Sequence, residues 1–285
     1  MTSKSTQLFR WYLKKTARSG MCLATLPSKR LLRNNQSHKP VVRVLTYHRF
    51  GEVERDPFCV GMKDFQAQMD WIAREKLAVS LADLESFLAG EKDLPQNAVL
   101  VSIDDGYQSL YQTALPILKH YSIPAVAFIT TSKIDAACSP NNDLEPYLTW
   151  KEVAALANAG MTIGSHALTH RSLGKISLDQ AHQEAAMSRE AIEQNLGTQV
   201  RAFAYPFGTF PDFNDSTTLI LDQCGYKLAF TSQHGAIEPT LNPLTLPRIK
   251  VEGGEPIWMF RLLTAGGLDD WRLIDRTLWR LQQSL

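Results

Sequence analysis

Three short stretches of this sequence carry residue types that do chemistry. In "SIDDGY", residues 102–107, an apolar run ends in two adjacent carboxylates, Asp104 and Asp105, followed by Gly106. Neighbouring carboxylates resist joint ionisation unless a positive charge compensates them. In "GSHALTH", residues 164–170, His166 and His170 stand four apart. On a helical turn that spacing turns both rings to one side, where they can share a metal. Ala167 occupies the place that a glutamate holds in the HExxH pattern, so a carboxylate from elsewhere must complete the site. One aspartate with two histidines makes three ligands and leaves positions open for water and substrate. That is the layout of a catalytic divalent-metal site, not of a closed structural one. A divalent cation neutralises the ligating aspartate and lowers the pKa of a water from about 15.7 to about 7, and a free carboxylate beside it then serves as base.

Each motif alone has a plainer reading. Asp-Asp-Gly by itself is a turn in which Gly106 supplies positive φ, and a lone histidine pair is a surface feature. Their joint presence at the ends of apolar runs favours chemistry. His120 and His182 fall on exposed-looking helix faces and are assigned no role, and His38 lies in the N-terminal arm.

The elements that must position these residues alternate. Strand patterns occupy 41–48, 77–81, 98–104, 125–131, 161–166, 201–207, 227–232 and 246–251, with helical patterns at 62–75, 82–90, 108–121, 150–159, 177–196 and 216–224. Ser177 is a good N-cap and Gly197 a good C-terminal stop. Strand–helix alternation of this kind predicts a parallel sheet with helices outside, and about seven to eight strands fit a deformed (β/α) barrel. Such barrels carry their chemistry at the C-terminal strand ends. His48, Asp104, Asp105, His166 and the "YPFG" of 205–208 all stand there, and Arg248 lies in the last run.

Composition narrows the function classes. The 285 residues carry a net charge of +1, unevenly spread. Residues 1–51 hold eleven Lys and Arg and no Asp or Glu, while the rest holds 19 Lys and Arg against 29 Asp and Glu. This divides the chain into a basic N-terminal arm (1–40), a catalytic barrel (41–251) and a C-terminal helical segment packing on it (252–285). Cys22, Cys59, Cys138 and Cys224 form no CxxC pair and read as free thiols. No stretch reaches the ~20 apolar residues of a membrane span. "GMCLATL" is followed by "PSKR" and not by small residues, so the reading is of an unexported, cytoplasmic protein. The arm is expected either to be solvated or to lie on anionic lipid at the inner membrane face. No nucleic-acid partner is expected.

"SIDDGY", "HALTH" and "AYPFG", in this order, resemble the metal-dependent polysaccharide deacetylases of carbohydrate esterase family 4, over roughly residues 41–251. The resemblance implies a deformed (β/α) barrel, Asp104 as general base, and Asp105, His166 and His170 as ligands of a divalent metal, usually Zn2+. It also implies that the backbone N–H of Phe207 meets the oxyanion. Two departures stand out. Ala204 occupies the place of an arginine that braces the base, and no histidine lies in 235–285 to act as acid. Arg248 and His48 are the expected replacements, with His234 the runner-up acid. This looks like the branch acting on bacterial surface polysaccharides such as poly-N-acetylglucosamine. The implied substrate is an acetylated glycan or its lipid-linked precursor, with Tyr205 and Tyr107 as possible sugar contacts. An O-acetyl esterase, a non-sugar amidase and a non-catalytic glycan-binding protein stay open beside it.

Overall fold

The computed structural model describes residues 4–32, 40–136 and 145–277. Cys138, His38 and residues 278–285 lie outside them. Helix α1 (Lys4–Leu32) comes first, followed by β1 (Val41–Tyr47), β2 (Arg49–Phe50), β3 (Cys59–Val60), α2 (Met62–Arg74), α3 (Leu81–Leu88) and β4 (Asn97–Ile103). A π-turn at Leu110–Ala114 leads into α4 (Leu115–Tyr121). Then come β5 (Ala125–Ile129), α5 (Trp150–Asn158), β6 (Thr162–Ser165), α6 (Leu178–Leu196), β7 (Ala202–Ala204), α7 (Asp215–Gln223), β8 (Leu228–Phe230), β9 (Ile249–Lys250), α8 (Ile257–Thr264) and α9 (Arg272–Thr277).

Seven strands form one parallel sheet in the order β8-β7-β6-β5-β4-β1-β9. The segment before β9 closes the curl. Leu246 bridges Phe230 of β8, while Ile249 and Lys250 pair with Leu45 and Thr46 of β1. Side chains alternate between two cores, as period-2 strands require. Val42, Val44, Ala98, Leu100, Val126, Phe128, Ala204 and Phe230 fill the inside of the curl, and Leu84 and Phe87 of α3 pack with them. Leu45, Val101, Ala127, Phe203 and Ile249 belong to the outer core shared with the helices.

The helix ends follow from local chemistry. Ser177 and Gln180 form a capping box, and Gly197 ends α6 at φ 67°. The expected strand at 77–81 is not one. Ala78 makes an isolated bridge to Val99, and Ser80 with Asp83 caps α3, so the chain turns helical at Leu81.

Residues 11–25 of the basic arm pack on the C-terminal segment. Cys22 is buried in the outer core, and Thr25 Oγ1 donates to the Gly267 carbonyl. Lys14, Lys15 and Arg18 turn inward onto Glu252 and Glu255, whereas Tyr12, Leu13 and Leu23 face solvent. Among the described residues no helix is long and apolar enough to cross a membrane. Cys22, Cys59 and Cys224 are free thiols.

Candidate active site

The carboxyl ends of β1, β4, β6, β7 and β8 open into a cleft of about 710 Å³. Asp105 leaves β4 at φ 75°, and Gly106 follows at 84°. Left-handed backbone at a non-glycine residue is uncommon and is held in place by its surroundings. Ala167, His170 and Phe207 share it, at 66°, 63° and 61°. Four of the eight such non-glycine residues among the described ones thus sit in or beside this cleft.

The ligand atoms of Asp105, His166 and His170 all lie within 4.8 Å of one another. Asp105 Oδ1 is 3.4 Å from His166 Nε2 and 3.3 Å from His170 Nε2. His166 Nδ1 bonds the Ala204 carbonyl at 2.7 Å. That acceptor fixes the proton on Nδ1 and orients the ring so that Nε2 faces the aspartate. Two imidazole nitrogens and a carboxylate oxygen converging in this way fit a divalent transition metal. Burial opposes charge on Asp105, yet bonding to His166 and His170 holds its carboxyl well below the usual range.

The two histidines do not share a helical turn, contrary to expectation. After β6 the chain bends through left-handed Ala167 and His170. Glu184 of α6 secures the bend. It accepts from the Thr169 N–H at 2.7 Å and closely from the Thr169 hydroxyl. The sequence reading missed Glu184, although it was visible there as an acid on the apolar stripe with Ala181, Ala185 and Ile192.

Asp104 is buried, with Arg248 bound to it in a fork: Nη1 to Oδ1 at 2.8 Å and Nη2 to Oδ2 at 2.7 Å. Arg248 Nε donates to the Thr231 carbonyl at 2.9 Å. Burial would raise the Asp104 pKa, but Arg248 and then His166 outweigh it and lower the carboxyl below its ordinary value. The cation expected to brace Asp104 therefore does meet it.

His48, Phe207, Tyr205 and Tyr107 also line the cleft. His48 packs edge-to-face with the Phe58 ring at 4.9 Å, and its Nδ1 is buried without a partner among the described residues. Burial lowers its pKa to about 4, against the pull of Asp105 and Asp104. Its surroundings include Lys250 and Arg248, which also disfavour a second charge. Phe207 packs its ring 4.9 Å from that of His170, and its carbonyl is held by the Ser232 hydroxyl. Tyr205 is buried and donates to the Leu244 carbonyl at 3.1 Å, while Tyr107 stacks on Tyr147 at 4.7 Å. His234 lies at the same cleft, with Nδ1 3.0 Å from Asp275 of α9 and Nε2 buried without a partner among the described residues. Tyr47 belongs to the outer core, and His120 and His182 are exposed.

A family model described as polysaccharide deacetylase matches residues 91–229. This stretch contains Asp104, Asp105, His166, His170 and Phe207. Among curated proteins, the poly-beta-1,6-N-acetyl-D-glucosamine N-deacetylase of Staphylococcus epidermidis is 28% identical over 211 residues, covering 70% of this chain and 71% of its own length. The protein of the same name from Staphylococcus aureus is 25% identical over 205 residues, covering 68% of each. Among solved structures, a Streptococcus pyogenes deacetylase in complex with acetate superposes with a TM-score of 0.67 at 24% identity, covering 75% of this chain and 93% of that one. IcaB from Ammonifex degensii gives 0.67 at 23%, covering 81% and 99%. The deformed (β/α) barrel is thus the fold these proteins share.

Proposed function

We propose that the protein is a metal-dependent hydrolase that removes N-acetyl groups from the sugars of a polysaccharide or its precursor. One observation carries the reading: the Asp105–His166–His170 cluster and the arginine-clamped Asp104 line one cleft at the carboxyl ends of the strands. The curated relatives named for poly-beta-1,6-N-acetyl-D-glucosamine make an acetylated amino-sugar polymer the first substrate to try.

Asp105, His166 and His170 would hold the ion, Zn2+ by the nitrogen-rich donor set. Bound there, it supplies Lewis acidity toward water and the acetyl carbonyl. Asp104 takes the proton of the attacking water, and each of its clamped oxygens keeps a lone pair for the purpose. The Phe207 N–H donates to the carbonyl oxygen as negative charge develops there. The carbon–nitrogen bond then breaks, the nitrogen takes a proton from His48, and acetate and a free amine result. A second reading gives that proton to His234, which lines the same cleft and is held at Nδ1 by Asp275.

The test is acetate release from matched N- and O-acetylated oligosaccharides, with mass spectrometry reading the loss of each acetyl group. Release from the N-acetyl substrate supports the reading; release from O-acetyl esters alone makes the protein an esterase. Amide cleavage lost selectively over activated aryl esters in His48→Ala assigns the acid to His48, and the same pattern in His234→Ala reassigns it.

A further inference from the structure

The wall of the cleft built by α1 carries more positive charge than its carboxylates neutralise. Glu252 takes Lys14 Nζ at 2.9 Å, Lys15 Nζ at 3.0 Å and Arg18 Nη1 at 3.7 Å. Glu255 takes Arg18 Nε at 2.7 Å and Lys15 Nζ at 3.6 Å. Lys250 joins these three cations with no salt-bridged carboxylate among the described residues: its Nζ rests 3.5 Å from the centroid of the Phe58 ring. Four cations therefore share two carboxylates. The next acids along the cleft are also engaged, Asp56 by Arg49 and Asp275 by His234.

Lys14, Arg18, Lys250 and Glu252 line the same cleft as Asp104, Asp105, His166 and His170. Ala17 and Ile274 make the neighbouring wall apolar, with the exposed Leu13 and Phe58 at its rim. Uncompensated cations in a partly desolvated, apolar wall favour an anion from outside.

We propose that Lys250, with Lys14 beside it, forms an anion subsite that receives a phosphate or carboxylate borne by the acetylated sugar substrate. The inference rests on the glycan reading above and narrows its substrate class to acidic sugars. Burial, opposed by Glu252 and assisted by Lys14, Arg18 and Lys15, lowers the Lys250 pKa to about 7. A bound anion relieves that crowding and restores the full charge.

The charge can belong to an acidic polymer or to a sugar phosphate on a lipid carrier. Binding of N-acetylglucosamine, N-acetylglucosamine 1-phosphate, its octyl phosphodiester and an N-acetylated uronate oligosaccharide to the full chain, read by calorimetry, tests both. A charge-assisted contact predicts that the phosphate binds on the order of ten-fold or more tighter than the neutral sugar. The preference should shrink in K250Q and in K14Q, and in the wild type as salt is raised. A further gain from the octyl chain marks a lipid-linked substrate, and tightest binding of the uronate marks an acidic polymer. Equal binding of neutral and charged sugars overturns the subsite, as does a preference that survives both substitutions and salt. K14Q and the salt series decide the matter even if K250Q does not fold. Acetate release from neutral N-acetyl oligosaccharides, assayed separately, shows whether the deacetylase reading stands when the subsite fails.

Discussion

Replacing Arg248 by methionine should make stability and activity depend on pH in a way the wild type does not. The guanidinium forks onto both oxygens of Asp104, and both residues are buried. Removing one partner of a buried pair leaves an uncompensated charge and costs about 3–5 kcal/mol. The carboxylate has an escape, which is to take a proton. From an unfolded pKa of about 3.9, holding that proton at pH 7 costs about 4 kcal/mol, at about 1.4 kcal/mol per unit. At pH 5 it costs only about 1.5 kcal/mol by the same relation. The sign follows from the direction of each shift. In the wild type Asp104 is depressed, so its contribution is complete above the unfolded value and disappears as pH falls through the folded one. In the variant burial prevails and raises the pKa, so stability is instead lost as pH climbs above about 3.9. Urea denaturation at pH 5 and pH 7 should therefore show a deficit about 2–3 kcal/mol larger at pH 7. The acidic limb of the pH–rate profile should shift upward, with part of the lost turnover returning in alkali. A deficit equal at both pH values, or an acidic limb that stays in place, would refute the account of Asp104 as a charge held by Arg248.

Three further outcomes are expected. Asp104→Asn should keep a stoichiometric divalent ion by elemental analysis while losing ~10²–10⁴-fold in turnover, whereas Asp105→Asn should lose the ion itself; loss of the ion in both would merge the two roles. Glu184→Gln should weaken ion retention by about 10–100-fold in a chelator competition, because it loosens the bend carrying His170; unchanged retention would reduce Glu184 to packing. Deleting residues 1–40 should cost about 3–5 kcal/mol or more by uncovering buried Glu252 and Glu255, and it should abolish any binding to anionic vesicles; a truncated chain as stable as the full one would mean that α1 is a detachable arm.

Much of the barrel could be read from the sequence because its signals are local. Val, Ile, Leu and Ala runs alternate with capped amphipathic stretches, and Ser177 and Gly197 bound their helix as their chemistry demands. The strand at 77–81 failed for an equally local reason: a capping box at Ser80 competes with extension there. The cluster at Asp105, His166 and His170 was legible because its residues stand at strand ends, even though the helical premise for the histidine spacing was wrong. Two left-handed residues achieve what a helical turn was expected to do, and backbone sign at Ala167 and His170 leaves no mark in residue type.

The cleft wall was not legible, and the reason is physical. A run of cations without acids reads as a solvated or lipid-facing arm as long as its partners are unknown. Those partners, Glu252 and Glu255, lie more than 200 residues away, in a stretch whose own composition looks like an ordinary loop. Only the fold brings the two together, and it does so with the charges turned inward and Tyr12, Leu13 and Leu23 turned out. Burying Arg18 beside Glu255 is costly unless the geometry is good, and here Arg18 also donates from Nη2 to the Lys250 carbonyl at 2.8 Å. That bond ties α1 to the strand carrying Lys250, two residues beyond the arginine that clamps Asp104. Helix α1 therefore acts on the cleft through position: its Lys14 and Arg18 line the same cleft as Asp105, His166 and His170, and they set part of its charge.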